Sequence, residues 1–214
     1  MTTTPRKRLT AGQRRAAIQS SALEVFADRG YHASSIDDIA RAAGISKALI
    51  YEHFTSKQAL HADLIEVQAS DLYRRIAHAV EAVETDSGGA RLKAGLEAYL
   101  LFVEERREAW RVLFRETVDP EAAAALDRVS AQITALVAAL IAQDPGATPR
   151  DEDHPETDRG IQLLAEMLVG AIQSVADWWD DHKDVRRERV LEAAMEFAWF
   201  GLERLGKGER WAKG

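Results

Sequence analysis

The segment from Ser34 to Lys57, SSIDDIARAAGISKALIYEHFTSK, constrains the fold more tightly than any other part of this chain. Its apolar residues, Ile36, Ile39, Ala40, Ala43, Ile45, Leu49, Ile50 and Phe54, keep helical spacing up to Gly44, lose it there, and resume it after Ser46. Two short helices joined by a tight turn, a helix-turn-helix, need this pattern. Ala40 is small enough to let the helices approach closely, and Gly44 can take the left-handed backbone of the turn. Ser46 is placed to cap the second helix by accepting from its first free N–H groups.

Charge is divided unevenly along the chain. The 214 residues carry a net charge of −7, which taken alone argues against a nucleic-acid partner. Residues 1–57, however, hold 9 Lys and Arg against 5 Asp and Glu, a net of +4, whereas residues 58–214 hold 19 against 30, a net of −11. A basic head on an acidic body is the pattern of a DNA reader with a separate acidic module. The composition is rich in Ala, Leu, Glu and Arg, with 5 Pro and little strand-like alternation, so the expected class is all-α. With no cysteine, disulfides, thiolate nucleophiles, thiol redox sensing and zinc–thiolate sites are excluded. The polar, basic N-terminus argues against a signal peptide, and no apolar run reads as long enough to cross a bilayer, so a cytoplasmic protein is expected.

The pattern predicts about nine helices. Residues 1–9 read as a flexible basic arm in which Arg6, Lys7 and Arg8 suit either nonspecific phosphate attraction or minor-groove reading. Thr10 to Gln13 is a capping box that opens helix 1, with Ile18, Ala22, Val25 and Phe26 inside and Gly30 at its end. Helix 2 is expected to begin near Ser34 or Ser35, helix 3 near Ser46, and helix 4 at Thr55–Gln58, running long enough to serve both modules. Ser87-Gly88-Gly89 breaks the pattern before helix 5, a short helix 6 carries Trp110 and Phe114, and Pro120 suits the first turn of helix 7. Residues 143–157, with three prolines and many charges, read as a mobile loop. Helix 8, from about Asp158 to Asp180, has two apolar stripes, one through Ile161, Leu164, Leu168, Ile172, Val175 and Trp179, the other through Leu163, Met167, Gly170, Ala171, Ser174 and Trp178. Helix 9 is expected from about Val185 to Leu205. A helix apolar on two sides is buried on both. Helix 8 is then either the central core helix of a monomer or part of a two-fold seam with a second subunit.

A recognition helix presents its N-terminal residues to the major groove. Here these are Ser46, Lys47, Ala48 and Leu49, followed by Tyr51 and His53, while Ile50 and Phe54 point inward. Lys47 suits guanine O6 or N7, or a phosphate, and the Ala48 methyl suits a thymine methyl.

The segment resembles the DNA-binding domain of the tetracycline-repressor (TetR) family of transcription regulators. The matching residues run from Gly30-Tyr31 through Ser34-Ser35-Ile36, Asp38-Ile39-Ala40 and Ala42-Ala43-Gly44-Ile45-Ser46 to Ile50-Tyr51, His53-Phe54, Ser56-Lys57 and Leu60. The family often has a polar residue where this chain has Leu49, a departure that shifts sequence preference toward thymine methyls and DNA shape. The resemblance implies a DNA-binding domain at 10–57 and a helical ligand-binding and dimerisation domain at 58–207. It adds Ser35, Tyr51, His53 and Lys57 as phosphate contacts, and a homodimer on an inverted-repeat operator. The dimer face would include Leu163, Met167, Gly170, Ser174 and Trp178 of helix 8 with Phe197 and Gly201 of helix 9. It also implies a small organic effector held by helices 4 to 8, with candidate lining at Leu64, Leu72, Tyr99, Phe102 and Val103, and at Trp110, Phe114, Ile133, Met167 and Ile172. Each of these alone reads as ordinary core. Release of a repressor by ligand is the family's common mode; activation, co-repression or a protein effector are the alternatives.

An enzyme is the rival from another class. The six histidines are scattered, and no His-x3-His pair, glycine-rich phosphate loop or Gly-x-Ser-x-Gly elbow is present. His154 with Asp151, Glu152 and Asp153 reads as a solvated acidic loop before it reads as a metal site. No cofactor and no metal are expected. A nonspecific architectural DNA binder would lack the large acidic second module.

Overall fold

A computed structural model describes residues 10–85, 87–115, 120–143 and 155–206, with the side chains of 121, 155–158 and 199–206 outside the description. Among the described residues there are nine helices and no strand: α1 Ala11–Arg29, α2 Ile36–Ala43, α3 Lys47–Tyr51, α4 Lys57–Glu81, α5 Gly88–Glu105, α6 Arg107–Phe114, α7 Pro120–Gln143, α8 Pro155–Asp181 and α9 Arg187–Gly206. The all-α class and the helix-turn-helix at the N-terminal end are as the sequence implies. The basic arm at 1–9 lies outside the described residues.

Local chemistry sets the helix ends. Thr10 accepts from the Gln13 N–H at 3.2 Å and the Gln13 side chain accepts from the Thr10 N–H at 3.0 Å, the expected reciprocal box. Gly30 closes α1 at φ 79°, its N–H donating to Phe26 O. The Ser56 hydroxyl accepts from the Ala59 N–H at 2.9 Å at the start of α4. Ser87 caps α5 by accepting from Ala90 N–H, so Gly88 and Gly89 form the first helical turn and do not interrupt the helix. Residues 144–154 of the expected loop lie outside the described residues, but α8 already begins at Pro155. The sequence reading carried the loop three residues too far because proline was counted only as a breaker; at the first helical position its fixed φ and missing N–H cost nothing.

Two compact units emerge, residues 1–68 with 108–126, and residues 69–107 with 127–214. Helices α4 and α7 therefore contribute to both. The first unit is built on Ile18, Phe26, Ile39, Ile50, Leu60 and Leu64, all fully buried, with Trp110 and Leu113 of α6. In the second unit Ile141 of α7 and Ala165 of α8 form a core against which Leu92, Val137, Ile161, Leu164 and Leu168 pack, so the first stripe of α8 faces inward. Ion pairs brace this unit, one with a buried carboxylate and one at the surface. Arg107 donates to the fully buried Asp180 carboxylate at 3.1 Å, and Arg187 to Glu104 at 2.7 Å.

The second stripe of α8 has a different fate. Leu163, Met167 and Trp178 are 61%, 60% and 49% exposed, and Gly170 and Ser174 are exposed with them. Phe197 of α9 is 68% exposed, while the burial of Gly201 falls outside the described residues. Among the described residues, α8 is thus apolar on a side that is largely uncovered. α7 corrects another expectation: Ala122–Gln143 is long and apolar enough, by length and composition, to cross a membrane. Its alanines hide this from an eye searching for Leu and Ile runs, and the same test is passed by core helices of soluble proteins.

Candidate nucleic-acid interface

The turn between α2 and α3 is three residues long, and each has a task. Gly44 sits at φ 64°, ψ 34°, the left-handed region that a side chain disfavours. Its N–H donates back into α2, and the Ile45 N–H donates to Ala40 O at 3.0 Å, closing the carbonyl end of α2 as a Schellman-type cap. Ser46 is extended and accepts from the Leu49 N–H at 3.3 Å, starting α3 immediately. Ile50 and Phe54 are buried, whereas Ser46, Lys47, Ala48 and Tyr51 are exposed, and Leu49 and His53 are half-buried. Four of the expected base-reading or phosphate-contacting residues are therefore open to solvent along α3 and its cap.

Polar groups around that surface are already engaged. Ser35 caps α2 in a reciprocal box. It accepts from Asp38 N–H at 3.2 Å, and its hydroxyl donates to the Asp38 carboxylate at 2.5 Å. The Ser35 hydroxyl bond, with help from the Ser35 N–H, Arg41 and Arg29, holds the Asp38 carboxyl below its ordinary value of 3.8 despite opposing desolvation. A phosphate at Ser35 has to displace that carboxylate or share the hydroxyl. Lys57 is half-buried and donates to Tyr31 O at 2.7 Å and Ser34 O at 2.9 Å, with its ammonium 4.1 Å from the Tyr31 ring centroid. It ties the α1–α2 connection to the start of α4, a task that its place in the motif did not reveal. Lys47 Nζ donates to Asp37 at 2.9 Å.

A further group was not anticipated. Arg15 of α1 donates to His53 O at 3.1 Å and to Asp63 of α4 at 2.5 Å, and its guanidinium lies 4.3 Å from the Phe54 ring centroid. Gln19 donates to the other Asp63 oxygen at 2.6 Å. One arginine thus fixes the end of α3 against α1 and α4. Only tertiary folding brings Arg15, His53 and Asp63 together, so no local spacing could have flagged them.

The effector candidates divide between the units. In the first, Leu64 and Trp110 are fully buried, and the Trp110 and Phe114 rings are 5.7 Å apart. In the second, Leu72, Tyr99, Phe102 and Val103 are buried and Ile133 and Ile172 half-buried. Met167 lies 60% exposed on the second stripe of α8, apart from the buried candidates. A surface depression of about 470 Å³ lies between α5 and α9, lined by Lys93, Glu97, Glu188, Leu191, Glu192, Met195 and Glu196, an acidic setting unlike the apolar one expected.

This arrangement defines a helix-turn-helix transcription regulator with an appended helical domain. The family model described as "Bacterial regulatory proteins, tetR family" matches residues 18–64, and the one described as "Tetracyclin repressor-like, C-terminal domain" matches residues 89–201. The chain belongs to the TetR family. It is 29% identical over 197 residues to the HTH-type transcriptional activator FasR of Mycolicibacterium smegmatis, spanning 91% of this chain and 85% of that protein. A TetR-like regulator from Rhodococcus sp. RHA1 superposes with a TM-score of 0.76 at 28% identity, over 91% of this chain and 98% of that one. FadR of Bacillus subtilis, solved in complex with stearoyl-CoA, shares the fold with a TM-score of 0.69 at 16% identity, over 86% of this chain and 97% of its own. Relatives and fold alike are regulators, not enzymes, and such a family implies a soluble, intracellular protein.

Proposed function

We propose that this protein is a cytoplasmic, ligand-responsive repressor that binds an inverted-repeat operator as a homodimer and is released by a small organic effector. The observation that carries the DNA-reading part is the exposure of Ser46, Lys47, Ala48 and Tyr51 along α3 and its cap, on a helix anchored by Ile50, Phe54 and Arg15. Residues 10–57 read the DNA and residues 58–207 hold the effector and the partner subunit. The uncovered α8 stripe of Leu163, Met167, Gly170, Ser174 and Trp178, with Phe197, supports self-association. Two subunits then meet half-sites about 34–36 Å apart, or a multiple of that. Support for an effector comes from the stearoyl-CoA bound by the FadR fold-mate. To release DNA, an effector must bind the DNA-incompetent form more tightly than the competent one, and the coupling is reciprocal. A second reading, activation, is favoured by the name of FasR.

The test is fluorescence anisotropy on labelled DNA from upstream of the protein's own gene, against scrambled DNA, at two salt concentrations. Binding at least about a hundredfold tighter to the upstream DNA is expected, within the range of specific over nonspecific binding. Equal, salt-labile binding to every duplex, including those enriched from a randomised pool, refutes the specific-regulator reading. Titration of acyl-CoA thioesters into the complex tests release; affinity that stays unchanged under saturation refutes that effector class.

A further inference from the structure

Asp37 is an acidic residue on a surface otherwise suited to a polyanion. It is the second residue of α2, and its carboxylate lies 2.9 Å from the ammonium of Lys47, the first residue of α3. The two side chains are 59% and 48% exposed, so the pair stands in solvent at the N-terminal ends of both helices of the motif. An exposed pair of this kind contributes little to stability. The hydrogen bond to Asp37 holds the Lys47 ammonium above its ordinary 10.5, so the donor stays charged.

We infer that Asp37 and Lys47 together read a single G·C base pair in each half-site, with Asp37 a further specificity-determining residue. This rests on the DNA-reading role proposed above. The pair offers a donor group and an acceptor side by side at 2.9 Å. Across the major-groove edge of a G·C pair, guanine N7 and O6 accept in succession and cytosine N4 donates. O6 and N4 are themselves joined by the Watson–Crick hydrogen bond, so they stand about 2.9 Å apart, the usual N–H···O length. The Lys47 ammonium, with three donors, meets N7 and O6, and the Asp37 carboxylate accepts from N4. An A·T pair fits less well: with the ammonium on thymine O4 and the carboxylate accepting from adenine N6, the ammonium loses its second acceptor and meets the thymine methyl, and the acceptor N7 faces the carboxylate. A carboxylate in the first turn of α2 suits the helix dipole, but with no base-pair donor to meet it would repel the phosphates of bound DNA. Sequence reading assigned Lys47 to guanine or phosphate but gave Asp37 no role beyond the acidic count.

The experiment selects operators from a randomised duplex pool with the full-length protein. It then measures anisotropy on duplexes with each half-site base pair replaced in turn, for the wild type, Asp37→Ala, Lys47→Ala and the double variant. Circular dichroism verifies that each is folded. The wild type is expected to prefer G·C at one position of each half-site by roughly 5- to 150-fold. Both single variants should flatten the preference at that position and no other, and the double variant should lose no more than either. If the wild type selects an operator but Asp37→Ala keeps every base preference, this inference alone fails. It fails equally if the two variants lose preferences at different positions. A wild type that selects no sequence overturns the DNA-reading role and the inference with it.

Discussion

Replacing Gly44 by alanine isolates one physical cost. The residue sits at φ 64°, and a Cβ built there meets nothing within 4 Å. No side-chain clash therefore contributes, and the penalty is that of the left-handed backbone alone, about 1–2 kcal/mol for an L-residue. Asparagine tolerates this region better and should recover part of the loss, while valine, branched at Cβ, should do worse. The Ile45 N–H, donating to Ala40 O at 3.0 Å, reports on the turn directly. Its native-state hydrogen-exchange protection should fall roughly 5- to 30-fold in Gly44→Ala, the factor that corresponds to 1–2 kcal/mol, if exchange follows opening of the turn. Operator affinity should fall too, because the turn sets the angle between α2 and α3. Protection that is unchanged in Gly44→Ala, or an asparagine variant as damaged as the alanine one, would refute the backbone argument.

Other predictions concern packing and charge. A Cβ at Gly95 of α5 would stand 3.1 Å from Val80 Cγ2 and 3.5 Å from Ile76 Cγ2 of α4; Gly95→Val should destabilise the second unit by about 1–3 kcal/mol in urea unfolding through overpacking, and a neutral result would mean that α4 and α5 yield freely. Removing one partner of the fully buried Asp180 by Arg107→Met should destabilise the second unit by up to about 3 kcal/mol, and the double change with Asp180→Leu less; equal losses in a denaturant comparison would show that the pair carries no buried-charge penalty. Ser35→Ala should raise the Asp38 carboxyl toward 3.8, because the Ser35 hydroxyl is the largest cause of its depression. A depressed carboxyl stabilises the fold fully above its ordinary value and ceases to do so as pH falls through its lowered native value. NMR titration of Asp38 reads the shift directly, and an unmoved midpoint would shift the cause to the retained Ser35 N–H, with Arg41 and Arg29.

Much of the N-terminal architecture was legible because its determinants are local. Thr10 and Gln13, Gly30, Gly44 and Ser46 act on neighbours within five residues along the chain, so their residue types announce the turns and caps that they make. The same local grammar found the break before α5 but placed Pro155 in a loop, since proline and glycine are breakers in some places and the first helical turn in others. The exposed start of α3 also followed from periodicity, because the alternation of Ile50 and Phe54 with Lys47, Ala48 and Tyr51 is itself the inside and the outside of the helix.

What holds that helix in place was decided elsewhere. Arg15 reaches His53 O and Asp63 across 38 and 48 residues of sequence, Lys57 returns to Tyr31 and Ser34, and Asp37 meets Lys47 across the turn. A long, charged side chain reads from sequence as solvated, because its partner is chosen by the path of the backbone and not by its neighbours. The two stripes of α8 make the same point for apolar residues. Sequence alone determined that both sides of that helix are hydrophobic; only the tertiary structure decided which of them packs on the chain's own core, since burial depends on where the other helices lie.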